Sequence, residues 1–349
     1  MATFEVGYGM KFCIRTIAGL LMLGMMACTL SCTVVRDVRT DWHMYYGDKL
    51  LQKDSLDEAL AEFELAAALN PHLAIAHSKI GTIHRRRGEI SLAIEAFVEA
   101  VRQNPLSFDD TLNLAQLYHF TTRIRDAIQA YLHAVELQPD NFEAQLNLGV
   151  CYQQVGDTAQ AAERFQAAIE LDPDNPGAYV NLGVTLDAQG RHYEAIHAYK
   201  EALERDNRQP LVLVNLAQTY MNQDRLKMAR QALQQAIAMD AGLAVAHEAL
   251  GYCLFRMRLF DLAADSYTSA LAYDWQLPRA HAGLGSIDML KYLGEQSADR
   301  EAHRDQAIEH WHQSLEINPD QPKIRRLLEK YAIPKGNPDR LLLDDRSRN

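Results

Sequence analysis

The sequence predicts an all-α chain, a one-dimensional array of about eight helix–turn–helix repeats closed by a C-terminal capping helix. Three observations carry this. Alanine recurs every 34 residues at Ala59, Ala93, Ala127, Ala161, Ala195, Ala229 and Ala263. Four residues later stands a large apolar or aromatic side chain: Phe63, Phe97, Tyr131, Phe165, Tyr199, Leu233 and Tyr267. A second alanine series follows at Ala66, Ala100, Ala134, Ala168, Ala202, Ala236 and Ala270, and upstream Gly or Ala keeps the same register from Gly47 to Gly285. A fixed period of this length means that one supersecondary unit is stacked on copies of itself.

Each member of the pattern has a mechanical cause. Two antiparallel helices joined by a short turn approach closely, so small residues mark where their backbones cross. The aromatic ring fills the gap beside them. Pro71, Pro105, Pro139, Pro173 and Pro319 follow the second helix and stop it.

From the N-terminus, Lys11 and Arg15 precede an apolar run from Ile17 to Ala27. That is long enough for the core of a signal segment and short for a membrane span. Ala27-Cys28 and Ser31-Cys32 each place a small residue before a cysteine. The pattern resembles the cleavage box of bacterial lipoproteins, in which the cysteine after the cut is acylated. Met25 and Met26 favour Cys28 over Cys32. An uncleaved anchor is the alternative, since Thr16 to Val35 carries no charge. Residues 1–27 are thus expected to be a targeting segment, with a start possibly at Met10, and 28–39 a linker. Either reading tethers the body to a membrane of the bacterial cell envelope, facing the periplasm or the outside.

Repeats are expected from about Thr40, Ala74, Phe108, Phe142, Pro176, Pro210, Ala244 and Pro278. The last, 278–321, is irregular: ten extra residues separate Gly285 from its matching Ala307, Trp311 takes the aromatic place, and Ser314 replaces the second alanine. Ile324, Leu327, Leu328 and Tyr331 then fall at helical spacing among charges, the pattern of a one-faced capping helix. The repeat body spans 40–331, and 332–349 reads as a flexible tail.

The order small, aromatic, small, proline at period 34 resembles the tetratricopeptide repeat family over about residues 40 to 320. The resemblance implies that the first helix of each repeat lines a concave, protein-binding groove. On that face Asn113, Asn147, Asn181 and Asn215 lie 34 apart, each preceded by an aliphatic residue: Leu112, Leu146, Val180 and Val214. A carboxamide both donates and accepts, so a row of them can pair with an extended peptide backbone of any sequence. Members that grip a C-terminal carboxylate use cations on this face. The position of Leu112 holds no cation in any repeat, which argues against such a clamp.

Other chemistry is not encoded. Lys and Arg number 35 against 46 acidic residues, a net charge of −11, so nucleic acid is an unexpected partner. Phosphate loops, HExxH, GxSxG and CxxC are missing, and no catalytic set or cofactor site is expected. His43, His77, His247 and His281 share one repeat position and read as packing residues rather than metal ligands. Cys151 and Cys253 likewise share a position and read as small buried side chains. The expectation is a membrane-tethered scaffold that binds peptide segments of partner proteins, assembling pilus, secretion or peptidoglycan machinery. The alternatives are a substrate-selecting arm of a glycosyl-transfer system and a self-assembling structural array.

Overall fold

The computed structural model describes residues 34–294 and 299–332. Among them are seventeen helices and no strand. The first helices of successive repeats are α1 (34–52), α3 (Ala74–Arg86), α5 (Phe108–Phe120), α7 (Phe142–Gln154), α9 (Pro176–Ala188), α11 (Pro210–Asn222), α13 (Ala244–Arg256) and α15 (Pro278–Gly294). The second helices are α2 (Leu56–Leu69), α4 (Ile90–Gln103), α6 (Ile124–Leu137), α8 (Thr158–Leu171), α10 (His192–Arg205), α12 (Leu226–Met239), α14 (Phe260–Tyr273) and α16 (Arg300–Ile317). The capping helix is α17 (Pro322–Tyr331). The chain forms two compact units, residues 1–155 with α1–α7 and residues 156–349 with α8–α17.

Within a hairpin the contact is a ring laid on bare backbone. A Cβ added to Gly81 would stand 2.9 Å from the Phe97 ring, and one on Gly183 2.7 Å from that of Tyr199. Both rings are almost wholly buried, as are Ala93, Ala100, Ala195 and Ala202 beside them. Each ring therefore exchanges its hydration for close contact at near-crystalline packing density.

Two turns alternate along the chain. The turn inside a hairpin places one residue in the left-handed region, again at period 34. It is Gly88 at φ 74°, Gly156 at 80° and Gly190 at 74°, but Asp54 at 59°, Thr122 at 57°, Asp224 at 57° and Arg258 at 62°. The next N–H closes the helix end onto a carbonyl five residues back, as from Glu89 to His84 and from Arg123 to Tyr118, each 2.9 Å. The turn between repeats is an Asx turn. Asn70, Asn104, Asp172, Asp206, Asp240, Asp274 and Asn318 each accept the backbone N–H two residues on. Short polar side chains thus set the exit angle of every second helix but α6, whose C-cap is Gln138, while proline comes later.

The eighth repeat absorbs its insertion by lengthening both helices, α15 to 17 residues and α16 to 18, against 13 and 14 in the preceding repeat. The extra turns bury Met289 and Tyr292, and the Arg300 guanidinium donates to the Tyr292 carbonyl at 2.8 Å. Ser314 is fully buried in the alanine position. Its hydroxyl is satisfied by the Pro278 carbonyl at 2.7 Å, so the polar replacement costs no unpaired group. Ile324 and Leu328 of α17 cover the cluster around Trp311.

The N-terminal boundary differs from expectation. Residues 34–39, read as linker, already belong to α1. No Gly or Pro interrupts the chain between Thr33 and Gly47, and the Thr40 hydroxyl bonds back to the Arg36 carbonyl at 3.0 Å. The targeting segment, Cys28, Cys32 and the tail after Ala332 lie outside the described residues.

Thr122 offers a test of the turn. A β-branched residue in the left-handed region costs about 1–2 kcal/mol, whereas glycine loses about 0.5–1 kcal/mol to its freer unfolded chain. Thr122→Gly is therefore expected to stabilise the first unit by about 0.5–1 kcal/mol. Urea titration followed by hydrogen exchange in α5 and α6 measures it, and destabilisation would show that Thr122 is not strained.

A candidate peptide-binding face

The asparagines sit on first helices because their position follows the buried contact by geometry. Two residues after each comes the small residue of the repeat pattern, so the asparagine itself falls at the margin of the buried positions. All four are half-buried, as are Leu112, Leu146, Val180 and Val214. Asn113 and Asn147 belong to the first unit, on α5 and α7. Asn181 and Asn215 belong to the second, on α9 and α11, which touch.

The four are not equivalent. Asn113 donates to the Asp109 carbonyl of its own helix at 2.8 Å, and its carboxamide oxygen accepts from the Arg85 guanidinium of α3. Arg85 also reaches Gln116 at 3.2 Å, so this cation of the Arg85-Arg86-Arg87 step ties two repeats together. The side chains of Asn147, Asn181 and Asn215 make no hydrogen bond among the described residues. Three amides with unspent donors and acceptors therefore stand beside three half-buried aliphatic residues.

The histidines have a role that sequence reasoning missed. His77, His247 and His281 each hydrogen-bond through Nε2, at 3.0 Å, to the carbonyl six residues earlier, on Pro71, Ala241 and Trp275. Gln145, at the same repeat position, donates to the Pro139 carbonyl at 3.0 Å. In the next repeat Tyr179 stands there and Arg205, stacked 4.0 Å from its ring centroid, donates to Pro173 instead. In these five repeats a donor at or near the position clasps the inter-repeat turn, whereas Thr111 bonds the Ser107 carbonyl of its own helix start and Leu213 has no donor to give. The shared six-residue spacing of His or Gln after the turn was the available signal.

Elsewhere the titratable groups are structural. Burial pushes the Cys151 thiol up to about 11 and raises that of Cys253, so both are poor nucleophiles. Asp288 on α15 lies 3.8 Å from His303 and 3.9 Å from His310 on α16, across the lengthened hairpin. Among the described residues no group of three His, Cys, Asp or Glu could hold a metal ion. No described helix is long and apolar enough to cross a membrane.

Glu248 breaks the aliphatic series. It occupies the position of Leu112 and Val214, is 8% exposed, and is met by Arg279 at 3.3 Å. Burial raises its pKa, only partly offset by Arg279. The native state thus holds the proton to higher pH than the unfolded chain does. The stability this contributes is present below the unfolded pKa and is lost as pH rises through the native one. Glu248→Gln is expected to raise the melting temperature near pH 7 and to leave it nearly unchanged near pH 4. Equal effects at both pH values would assign Glu248 no desolvation cost.

Comparison with known proteins fits this architecture. The family described as the cilia and flagella-associated protein 70 C-terminal domain matches residues 48–283. No curated protein matches the sequence. Among solved structures, the C-terminal part of a TPR repeat-containing protein from Cytophaga hutchinsonii superposes with a TM-score of 0.57 at 18% identity, over 69% of this chain and 99% of that one. The APC/C hetero-tetramer Cut9-Hcn1 gives 0.54 at 18% identity, over 84% and 56%. MamA gives 0.46 at 25% identity, over 49% and 93%, too loose a superposition to carry an argument. The first two likenesses show the fold alone: an all-α tetratricopeptide-repeat solenoid. The chain belongs to the tetratricopeptide-repeat family described as the cilia and flagella-associated protein 70 C-terminal domain.

Proposed function

We propose that this chain is a membrane-tethered scaffold whose first-helix face binds extended peptide segments of partner proteins and so assembles complexes of the bacterial cell envelope. One observation carries the binding half: Asn147, Asn181 and Asn215 keep their amide donors and acceptors uncommitted beside half-buried Leu146, Val180 and Val214. An amide facing a backbone can both give and take a hydrogen bond, and the aliphatic neighbour accepts the alternate side chain. Such a surface selects an extended main chain first and its sequence second. Asn113, already held by Arg85, contributes after exchanging that partner.

Two features support the tether. The apolar run from Ile17 leads to two small-residue–cysteine pairs. Directly after it, α1 carries Val34, Val35, Val38, Trp42, Tyr45 and Tyr46 on one 120° arc, by about 100° of turn per residue. All six are 43–63% exposed. Aromatic side chains that follow an apolar segment suit the headgroup layer of a membrane, where one end of the ring is dry and the other wet. In this reading the body begins at the bilayer surface.

Tagged full-length protein, recovered from detergent-solubilised membranes, should bring down partners that the quadruple variant Asn113→Ala, Asn147→Ala, Asn181→Ala and Asn215→Ala recovers roughly tenfold less well, at about 1 kcal/mol per lost hydrogen bond and partial additivity. Undiminished recovery sinks the peptide-binding face. Mass spectrometry of the mature N-terminus is expected to find a diacylated Cys28. An intact chain beginning at Met1 or Met10 would replace the lipid anchor by an uncleaved one.

A further inference from the structure

We propose that the notch between α13, α14 and α15 is a receptor for a basic side chain, lysine or arginine, projecting from a bound peptide segment. The inference rests on the first-helix face being the peptide-binding face, and adds a charge preference at one end of it.

The notch arises from two departures in the repeat register. Where earlier repeats carry Leu112, Leu146, Val180 and Val214, the seventh carries Glu248. Where they carry asparagine, the eighth carries Gly283. A Cβ at Gly283 would overlap the Tyr267 ring. The Gly283 backbone therefore lies directly against the Tyr267 ring, which is only 3% exposed at the floor of a cavity of about 290 Å³ walled by Tyr252 and Phe255 and closed at one side by Glu248. That volume admits one long side chain. Phe255 is held edge-on by Phe260, with ring centroids 5.5 Å apart, so the wall is fixed in place.

The Tyr252 and Phe255 rings and one carboxylate form a surface for a cation. Ring faces attract an ammonium or guanidinium through their quadrupole, more strongly once it leaves water. Glu248, over nine-tenths buried, has Arg279 as its only ion-pair partner among the described residues, and 63% of that side chain is exposed. The guanidinium of Arg279 also lies 5.7 Å from the Tyr252 ring centroid, at the mouth. The chain's own cation thus already samples the site, held loosely enough to move into solvent at small cost. Other occupants fit worse. An apolar side chain would cut the Glu248 carboxylate off from water and add no partner to Arg279, and an acidic one would meet a like charge in a low-dielectric wall. The net charge of −11 points the same way.

The test uses the full-length protein in detergent and capped pentapeptides, Gly-Ser-Xaa-Ser-Gly, with Xaa lysine, arginine, norleucine or glutamate, titrated by calorimetry. Lysine and arginine peptides should bind roughly tenfold or more tightly than norleucine, the size of one desolvated cation–ring and charge contact. Glu248→Gln, nearly isosteric and folded by circular dichroism, should erase that preference. Arg279→Ala should preserve or strengthen it by removing the competing cation. A preference for glutamate that Arg279→Ala abolishes would make the notch an anion site and overturn the proposal. So would equal binding of norleucine and lysine, or no binding of any peptide. The quadruple asparagine variant separates the two readings. If it loses membrane partners yet keeps the lysine preference, both stand; if it keeps its partners while the lysine preference persists, only the broader face fails.

Discussion

This chain depends on one kind of close crossing inside the hairpin, in five hairpins an aromatic ring laid on a glycine that offers it no side chain. Gly47 under Phe63, Gly81 under Phe97, Gly183 under Tyr199, Gly251 under Tyr267 and Gly285 under Trp311 all leave less than 3 Å between an added Cβ and the ring. The close approach fixes the distance between the two helices, and with it which residues of the first helix fall at the interface margin. The asparagines and their aliphatic neighbours are half-buried for that reason. They lie two and three residues before a crossing that tolerates no error in register.

Once the crossing is fixed, the turns need only be permissive, and they vary accordingly. Gly, Asp, Thr and Arg all serve at the left-handed position inside the hairpin. Histidine, glutamine or a distant arginine all serve as the clasp on the inter-repeat carbonyl. What is required at each place is a backbone angle or a donor, and several side chains supply it. The crossing requires a shape, which only Gly or Ala supplies.

The same logic locates function where the register is broken without damage to the crossing. Ser314 shows a departure that is neutral, its hydroxyl absorbed by Pro278 and Gln321. Glu248 shows the opposite case, burying a carboxylate against its desolvation cost where earlier repeats carry an aliphatic side chain. A cost in stability that no packing gain offsets is the physical mark of a surface kept for binding.

The sequence by itself determined the period, the hairpins and the helix starts from Ala74 to Pro278, because close crossing forces small residues to recur at fixed spacing. It placed Cys151 and Cys253 in the core, and it placed Asn147, Asn181 and Asn215 on one repeat position. It could not decide which polar side chains were already spent. Asn113 looks like its three counterparts in the sequence, yet Arg85, 28 residues away, engages it. The histidines looked like packing residues until the chain folded back and brought a carbonyl within 3.0 Å. Residues 34–39 looked like linker because no repeat precedes them, and helical propensity carried α1 past the repeat boundary. Nor did Glu248 and Gly283, 35 residues apart, announce a shared cavity. Periodicity records what every repeat must do alike; the partners that differ between repeats are set only by which helices stack on which.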